Sequence, residues 1–405
     1  MLFNSKKLDS NFRTLINSKS NSKCNNKYRV IIKYKIFEDS LIKKISKFRG
    51  DFINNIKHCN IITARLDLKS IKRLIEYPEV EYICLDEYLF LCGISVSTAN
   101  KIKISSKTNL NGAGITIAII DTGVYPHPDL ITPSNRITKF VDLLHGFSYP
   151  YDDNGHGTSI AGVIVGNGEK SNGLYKGIAT KSNIHSYKAF DKSGKGYFSD
   201  ILFSIDMIIN SNITNEVKII CMPFEMLHFN HLLQKSFNKL ISLAYENNIT
   251  CIVPSGSNRN YEGSITGIAL CPNCITVAGY DSTKGIKPYD YSSAGNLRND
   301  AKPDLIAACV DIVSLNSNTS YISEKDGIRL YPKKLDTSYK TFTGTSLSAA
   351  YIAGVCALLY ENNNSLTPKD ISSLLKLSCE PLDMPINLQG NGKININNII
   401  KWKVL

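Results

Sequence analysis

The sequence predicts an α/β fold, a mostly parallel sheet between layers of helices, preceded by a small α+β domain. Two observations carry this expectation. Beyond residue 111, short apolar runs alternate with helix-patterned stretches, as parallel strands joined by helical crossovers do. Before residue 92 the segments are shorter and more mixed, and the polar Ser/Thr/Lys-rich stretch 93–111 separates the two patterns like a linker. The expected organisation is therefore a tail over 1–27, an α+β domain over 28–92, a linker over 93–111 and a main domain over 112–405.

In the first region, Tyr28–Lys35 reads as a strand, Glu38–Ile53 as a helix, and Asn60–Leu66 as a second strand. Leu68–Ile75 follows the i, i+3, i+4 pattern of a helix that Pro78 ends, and Val80–Leu91 returns to β-type residues. In the second region Ile115–Ile120, Ile184–Ala189, Val217–Met222, Thr250–Val253 and Cys274–Ala278 read as strands. Ser199–Ile209 and His231–Tyr245 read as helices between them.

Composition narrows the function classes. The chain has 405 residues, 43% of them hydrophobic and 20% charged, which suits a globular protein with a sizeable core. No apolar run approaches the roughly 18 residues of a membrane span. The first twenty residues lack the apolar segment of a secretory signal, so a cytoplasmic location is expected. Eleven cysteines at irregular spacings read as free thiols in a reducing compartment rather than a disulfide framework. The net charge of +12 is concentrated early: residues 1–95 hold 18 Lys/Arg against 10 Asp/Glu. Those lysines are interleaved with Ile and Leu at helical spacing and never run five together, which is a solvated helix face and not a nucleic-acid site.

Three short motifs carry chemistry. The strand at Ile115–Ile120 ends in Asp121-Thr122-Gly123, a carboxylate at the carboxyl end of a buried parallel strand, where open α/β sheets place their ligand sites. His156 lies in Asp153-Asn154-Gly155-His156-Gly157-Thr158, leading into the apolar helix Ile160–Val165. Ser346 follows Thr343-Gly344-Thr345 and begins the apolar helix Leu347–Leu359. A nucleophile and a backbone donor there face developing negative charge. Asp, His, Ser is one of the chain orders in which a catalytic triad occurs. Singly, each motif is ordinary turn or cap chemistry; in this order, each at its strand or helix edge, they point to one site.

AIIDTGVYPHPDL, YDDNGHGTSIAGVIVG and TFTGTSLSAAYIAGVCALL resemble the three catalytic blocks of the subtilases, the subtilisin-like serine peptidases, and the likeness extends over about residues 110–400. PYDDNGHGT with GNGEKSNGLYKGIA is most similar to the intracellular AprX-like branch. The resemblance implies a subtilisin-like three-layer fold and a serine endopeptidase. In it Asp121 orients His156, His156 takes the proton of Ser346, and the Ser346 backbone N–H is one oxyanion donor. It further implies that residues 28–92 are an inhibitor-type propeptide acting in cis. That propeptide would cover the substrate groove, help a slow-folding parallel sheet to form, and be released by cleavage within 93–111.

This sequence also departs from the family pattern. Where a Gly-Asn pair supplies the second oxyanion donor, it reads Pro254-Ser255-Gly256-Ser257-Asn258, so either Ser257 or Asn258 is expected in that role. The groove strand is Met222-Pro223-Phe224-Glu225, and with Ser255 and Gly256 it is expected to bind substrate by strand addition. Pro223 has to face away from that ladder. Glu225 stands in place of a glycine, either selecting basic substrate residues or lying solvated at the rim. After the nucleophile, Leu347-Ser348-Ala349-Ala350-Tyr351 lacks the family's proline and oxidisable methionine.

Cys271-Pro272-Asn273-Cys274 lacks a second ligand pair, so two buried thiols at a strand–turn junction are expected there, not a metal site. No cofactor is expected for the chemistry. Gly166–Gly177 is unlike the calcium loop of secreted subtilisins, and structural calcium is left open. Expected partners are protein or peptide substrates and the chain's own propeptide, with no nucleic acid and no membrane. An alternative reading is a weakly active or inactive relative serving as a regulatory or binding module, for example in spore germination. An esterase of the α/β-hydrolase type is excluded by the missing G-x-S-x-G elbow and the different triad order.

Overall fold

The computed structural model describes residues 7–9, 27–35, 38–91, 110–213, 216–227, 230–297, 302–395 and 398. The expected tail and linker therefore fall almost wholly outside the described residues. The chain divides into two compact units: Met1–Tyr88 with Tyr197–Met207, and Leu89–Gly196 with Ile208–Leu405.

In the first unit, β1 (Tyr28–Tyr34), α1 (Glu38–Lys47), β2 (Asp51–Ile56), β3 (Ile61–Leu66), α2 (Leu68–Leu74) and β4 (Val80–Leu85) form an antiparallel sheet in the order β2-β3-β1-β4 with two helices. Val30 and Ile32 of β1, Ile62 and Ala64 of β3, and Leu41 and Ile45 of α1 share one apolar core, the two-residue period of the strands meeting the helix stripe.

Two expectations are corrected here. The helix predicted over Glu38–Ile53 stops at Lys47, because Arg49 takes a left-handed conformation and the Gly50 N–H returns to the Ile45 carbonyl, a helix-ending arrangement. Residues 51–56 are then free to pair with β3. The single strand predicted over Val80–Leu91 is two, β4 and β5 (Tyr88–Leu91). They part at Asp86, whose buried carboxylate accepts from the Ser199 N–H at 3.1 Å, at the start of α4 (Phe198–Ser211), and from Arg29 Nε at 2.8 Å. Arg29 also pairs with Asp200, so one guanidinium serves two buried carboxylates.

The second unit is built on β6 (Thr116–Asp121), β7 (Ile137–Asp142), β8 (Asn183–Lys188), β10 (Val217–Cys221), β12 (Thr250–Pro254), β13 (Cys274–Asp281) and β14 (Leu305–Ala308). These seven run parallel in the order β14-β13-β12-β10-β6-β8-β7. Lys393–Ile394 continues the sheet beyond β14, and Cys379–Glu380 and Lys287–Pro288 add short antiparallel margins. Every residue of β6 and β12 is buried, as strands covered on both faces require. Helices α3 (His156–Val165) and α6 (Thr345–Asn362) pack on each other and share a core with β6, β10, β12, β13 and β14, while α5 (His231–Glu246) packs on β12. A separate three-stranded sheet sets β5 between β9 (Lys195–Tyr197) and β11 (Phe224–Glu225).

Candidate active site

Asp121 is the last residue of β6 and is buried, so the parallel sheet itself delivers its carboxylate to the carboxyl edge. His156 opens α3 with Nδ1 2.9 Å from both Asp121 oxygens. That close approach depends on the next residue: a Cβ on Gly157 would stand 2.1 Å from the Gly123 carbonyl and 3.2 Å from the Asp121 side chain. Ser346 lies in the first turn of α6, buried, with Oγ 2.9 Å from the Pro223 carbonyl. The hydroxyl thus stands at the N-terminal, positive end of that helix.

Two residues outside the predicted set hold this arrangement. Asp152, fully buried, accepts from Thr122 Oγ1 at 2.8 Å, the Gly155 N–H at 2.8 Å, the Thr158 N–H at 2.9 Å and Thr158 Oγ1 at 2.6 Å, tying the loop after Asp121 to the start of the His156 helix. Lys188, also fully buried, donates to the Thr122 carbonyl at 2.7 Å, Asp153 Oδ1 at 2.5 Å and the Phe190 carbonyl at 3.1 Å. Its ammonium stands 4.9 Å from the centre of the Tyr151 ring. The acidic pair Asp152-Asp153 before the histidine loop was the available signal for both.

The predicted groove residues separate into two short segments. Met222 and Pro223 connect β10 to β11; the Met222 N–H bonds the Ile252 carbonyl and the Phe224 ring packs on Phe190. Ser255 is buried with its hydroxyl 3.2 Å from that of Ser292, and Gly256 receives the Thr345 hydroxyl on its carbonyl at 3.2 Å. β5 pairs antiparallel with β11, Leu91 opposite Phe224 and Phe90 opposite Glu225, so a strand of this chain lies along the segment expected to bind substrate.

The two oxyanion candidates are both engaged with protein groups. The Ser257 N–H donates to Glu225 Oε2 at 2.8 Å and its hydroxyl donates to Oε1 of the same carboxylate. The Asn258 amide is directed to the Ser264 carbonyl and Thr266 Oγ1, both at 3.4 Å. Glu225 is 7% exposed and so does not lie solvated at the rim; burial pushes its carboxyl above the usual range, against the hydrogen bonds from Ser257.

Elsewhere, the nine cysteines among the described residues are free thiols, eight of them buried, and Cys274 starts β13 after a tight turn from Cys271. Among the described residues no three His, Cys, Asp or Glu side chains converge as metal ligands. Around the segment expected to differ from a calcium loop, Asp129 accepts from Tyr339 Oη and the Lys170 N–H, and Asn167 Oδ1 from the Glu169 N–H. Those oxygens are each engaged by a protein donor. No described helix is long and apolar enough to cross a membrane.

A carboxylate–imidazole pair at the edge of a parallel sheet, with the imidazole on a helix packed against the one that carries a serine in its first turn, is the kind of arrangement from which serine hydrolases are built. The chain belongs to the subtilase family, whose model matches residues 112–392, and it is a subtilisin-like serine endopeptidase. It is 30% identical over 373 residues to serine protease AprX of Bacillus subtilis (strain 168), covering 88% of this chain and 82% of that one. It is 27% identical over 274 residues to a subtilisin of Bacillus sp. (strain TA39), covering 65% and 61% respectively. Among solved structures it is similar in fold to fervidolysin from Fervidobacterium pennivorans, a keratinolytic enzyme related to subtilisin. The TM-score there is 0.68 at 17% identity over 93% of this chain, which spans 61% of that one.

Proposed function

We propose that the chain hydrolyses peptide bonds through an acyl-enzyme formed on Ser346, with His156 as general base and acid and Asp121 as its orienting partner. The observation that carries this reading is the contact of His156 Nδ1 with both Asp121 oxygens. That contact fixes the proton on Nδ1 and leaves Nε2 to accept the serine proton. Collapse of the acyl-enzyme by water reverses the same proton path. The Ser346 N–H at the start of α6 serves the oxyanion. Substrate adds as a strand along β11, the edge that β5 occupies here.

The placement of β5 supports a second part of the proposal: the protein is made as a zymogen whose N-terminal region inhibits in cis until the chain cuts itself beyond Leu91. The free thiols support a reducing, cytoplasmic setting. A fluorophosphonate probe should label the purified protein and fail to label Ser346→Ala. The parent should also process itself to a product whose new N-terminus lies within residues 93–111, with Ser346→Ala remaining full length. Equal banding of parent and variant would sink the self-processing. The engagement of Ser257 by Glu225 favours, as a second reading, a weakly active relative that binds peptides for regulation; absence of labelling would select it.

A further inference from the structure

Glu225 is a buried carboxylate. Its polar partners are the N–H and hydroxyl of Ser257, and among the described residues no Lys, Arg or His forms an ion pair with it. Burying such a charge is costly unless something neutralises it. The local backbone is nonetheless arranged to admit it. Gly256 has φ +104°, and a Cβ there would stand 2.8 Å from Glu225 Oε2. The carboxylate lies between two backbone segments that each touch the start of α6: Pro223, whose carbonyl meets Ser346 Oγ, and Gly256, whose carbonyl meets Thr345 Oγ1. The other donors of that loop are committed elsewhere, since the Asn258 N–H bonds Ser293 Oγ at 2.9 Å and its amide bonds Ser264 and Thr266. Ser257 follows Gly256, whose carbonyl meets the residue before the nucleophile, and Glu225 holds the proton of its hydroxyl.

Resting on the peptidase reading above, we propose that Glu225 and Ser257 form a charge-gated oxyanion donor. A substrate with a cationic side chain beside the scissile bond pairs with Glu225 and frees the Ser257 hydroxyl for the developing oxyanion. With a neutral side chain, Glu225 keeps that hydroxyl and Ser346 N–H works without it. A hydroxyl donating to an unpaired carboxylate makes a charge-assisted bond; once an ammonium or guanidinium neutralises that carboxylate, the bond weakens and the oxyanion becomes the better acceptor. Substrate charge therefore acts on kcat and not only on KM.

The test uses the full chain after self-processing, its active sites counted with the fluorophosphonate probe, and two peptides that differ only in lysine or norleucine before the cut. Wild type should favour lysine by about 30-fold in kcat/KM, with about 10-fold of this in kcat. Glu225→Gln should reduce the ratio to about 3-fold or less, the amide carbonyl still accepting from Ser257. Ser257→Ala should slow the lysine peptide by about 10-fold more than the norleucine peptide. A labelled enzyme with equal rates on both peptides overturns the proposal and leaves the peptidase reading intact, as does a Ser257→Ala variant that slows both alike. Protein that takes no label overturns the peptidase reading and this proposal with it.

Discussion

Asp152 shows how much of a site can hang on a residue that touches no substrate. Its two oxygens gather five donors from both sides of the Asp121–His156 contact, all of them buried except the Asn154 N–H. Asp152→Ala should orphan those donors, cost about 3 kcal/mol in stability and slow fluorophosphonate labelling of Ser346 by about 10-fold or more as His156 loses its fixed seat. Urea unfolding and labelling rates together check this; a variant that unfolds like the parent and labels at the parent rate contradicts it. At this scale the sequence was most informative where chemistry concentrates in short motifs: Asp121, His156 and Ser346 are each recognisable from their neighbours. Lys188 was not, because a lysine at the end of an apolar strand reads as a solvated terminus, and only the convergence of Thr122, Asp153 and Phe190 keeps it buried. Glu225 was half legible: its charge was visible, its burial and its hold on Ser257 were not.

Among the elements, the meeting of β6 and α3 is a tight constraint. With 2.1 Å between a Cβ at position 157 and the Gly123 carbonyl, Gly157→Ala should push the start of α3 off the strand end. We expect labelling to fall by about 10²-fold while the α3 interior, which buries Ile160, Ile164 and Val165, keeps the fold together. Hydrogen exchange confined to residues 153–159 would accompany that loss; a variant labelled at the parent rate would refute the steric account.

In the first unit, Arg29 faces both Asp86 and Asp200, and burial pushes the Asp200 carboxyl up from its usual 3.8 to about 6. The folded unit therefore holds this proton more tightly than the unfolded chain does. Its contribution to stability is greatest below about pH 4 and is lost as pH rises through about 6. Asp200→Asn should flatten that slope, and exchange protection of residues 28–85 at pH 4.5 and 7 measures it; an unchanged slope would exclude Asp200 as its source. Element boundaries were the least legible part of the sequence. The left-handed Arg49 ends α1 and Asp86 divides β4 from β5; the first acts through backbone sign and the second through a partner distant in the chain, neither of which periodicity registers.

For the molecule as a whole, the alternation of apolar runs and helices was enough to expect the parallel sheet, because strands buried on both faces leave a strong imprint in composition. The strand order β14-β13-β12-β10-β6-β8-β7 was not available, since sequential pattern carries no information on which neighbours pair. The short sheet of β9, β5 and β11 was equally invisible, as two- to four-residue strands have no period to read. That small sheet bears on how activity depends on concentration. While β5 is joined to the same chain as β9 and β11, it meets them at a local concentration on the order of millimolar, whatever the amount of protein in solution. Cutting the chain beyond Leu91 removes that advantage: occupancy of the edge becomes a matter of dilution, and a crowded preparation would stay silent longer than a sparse one.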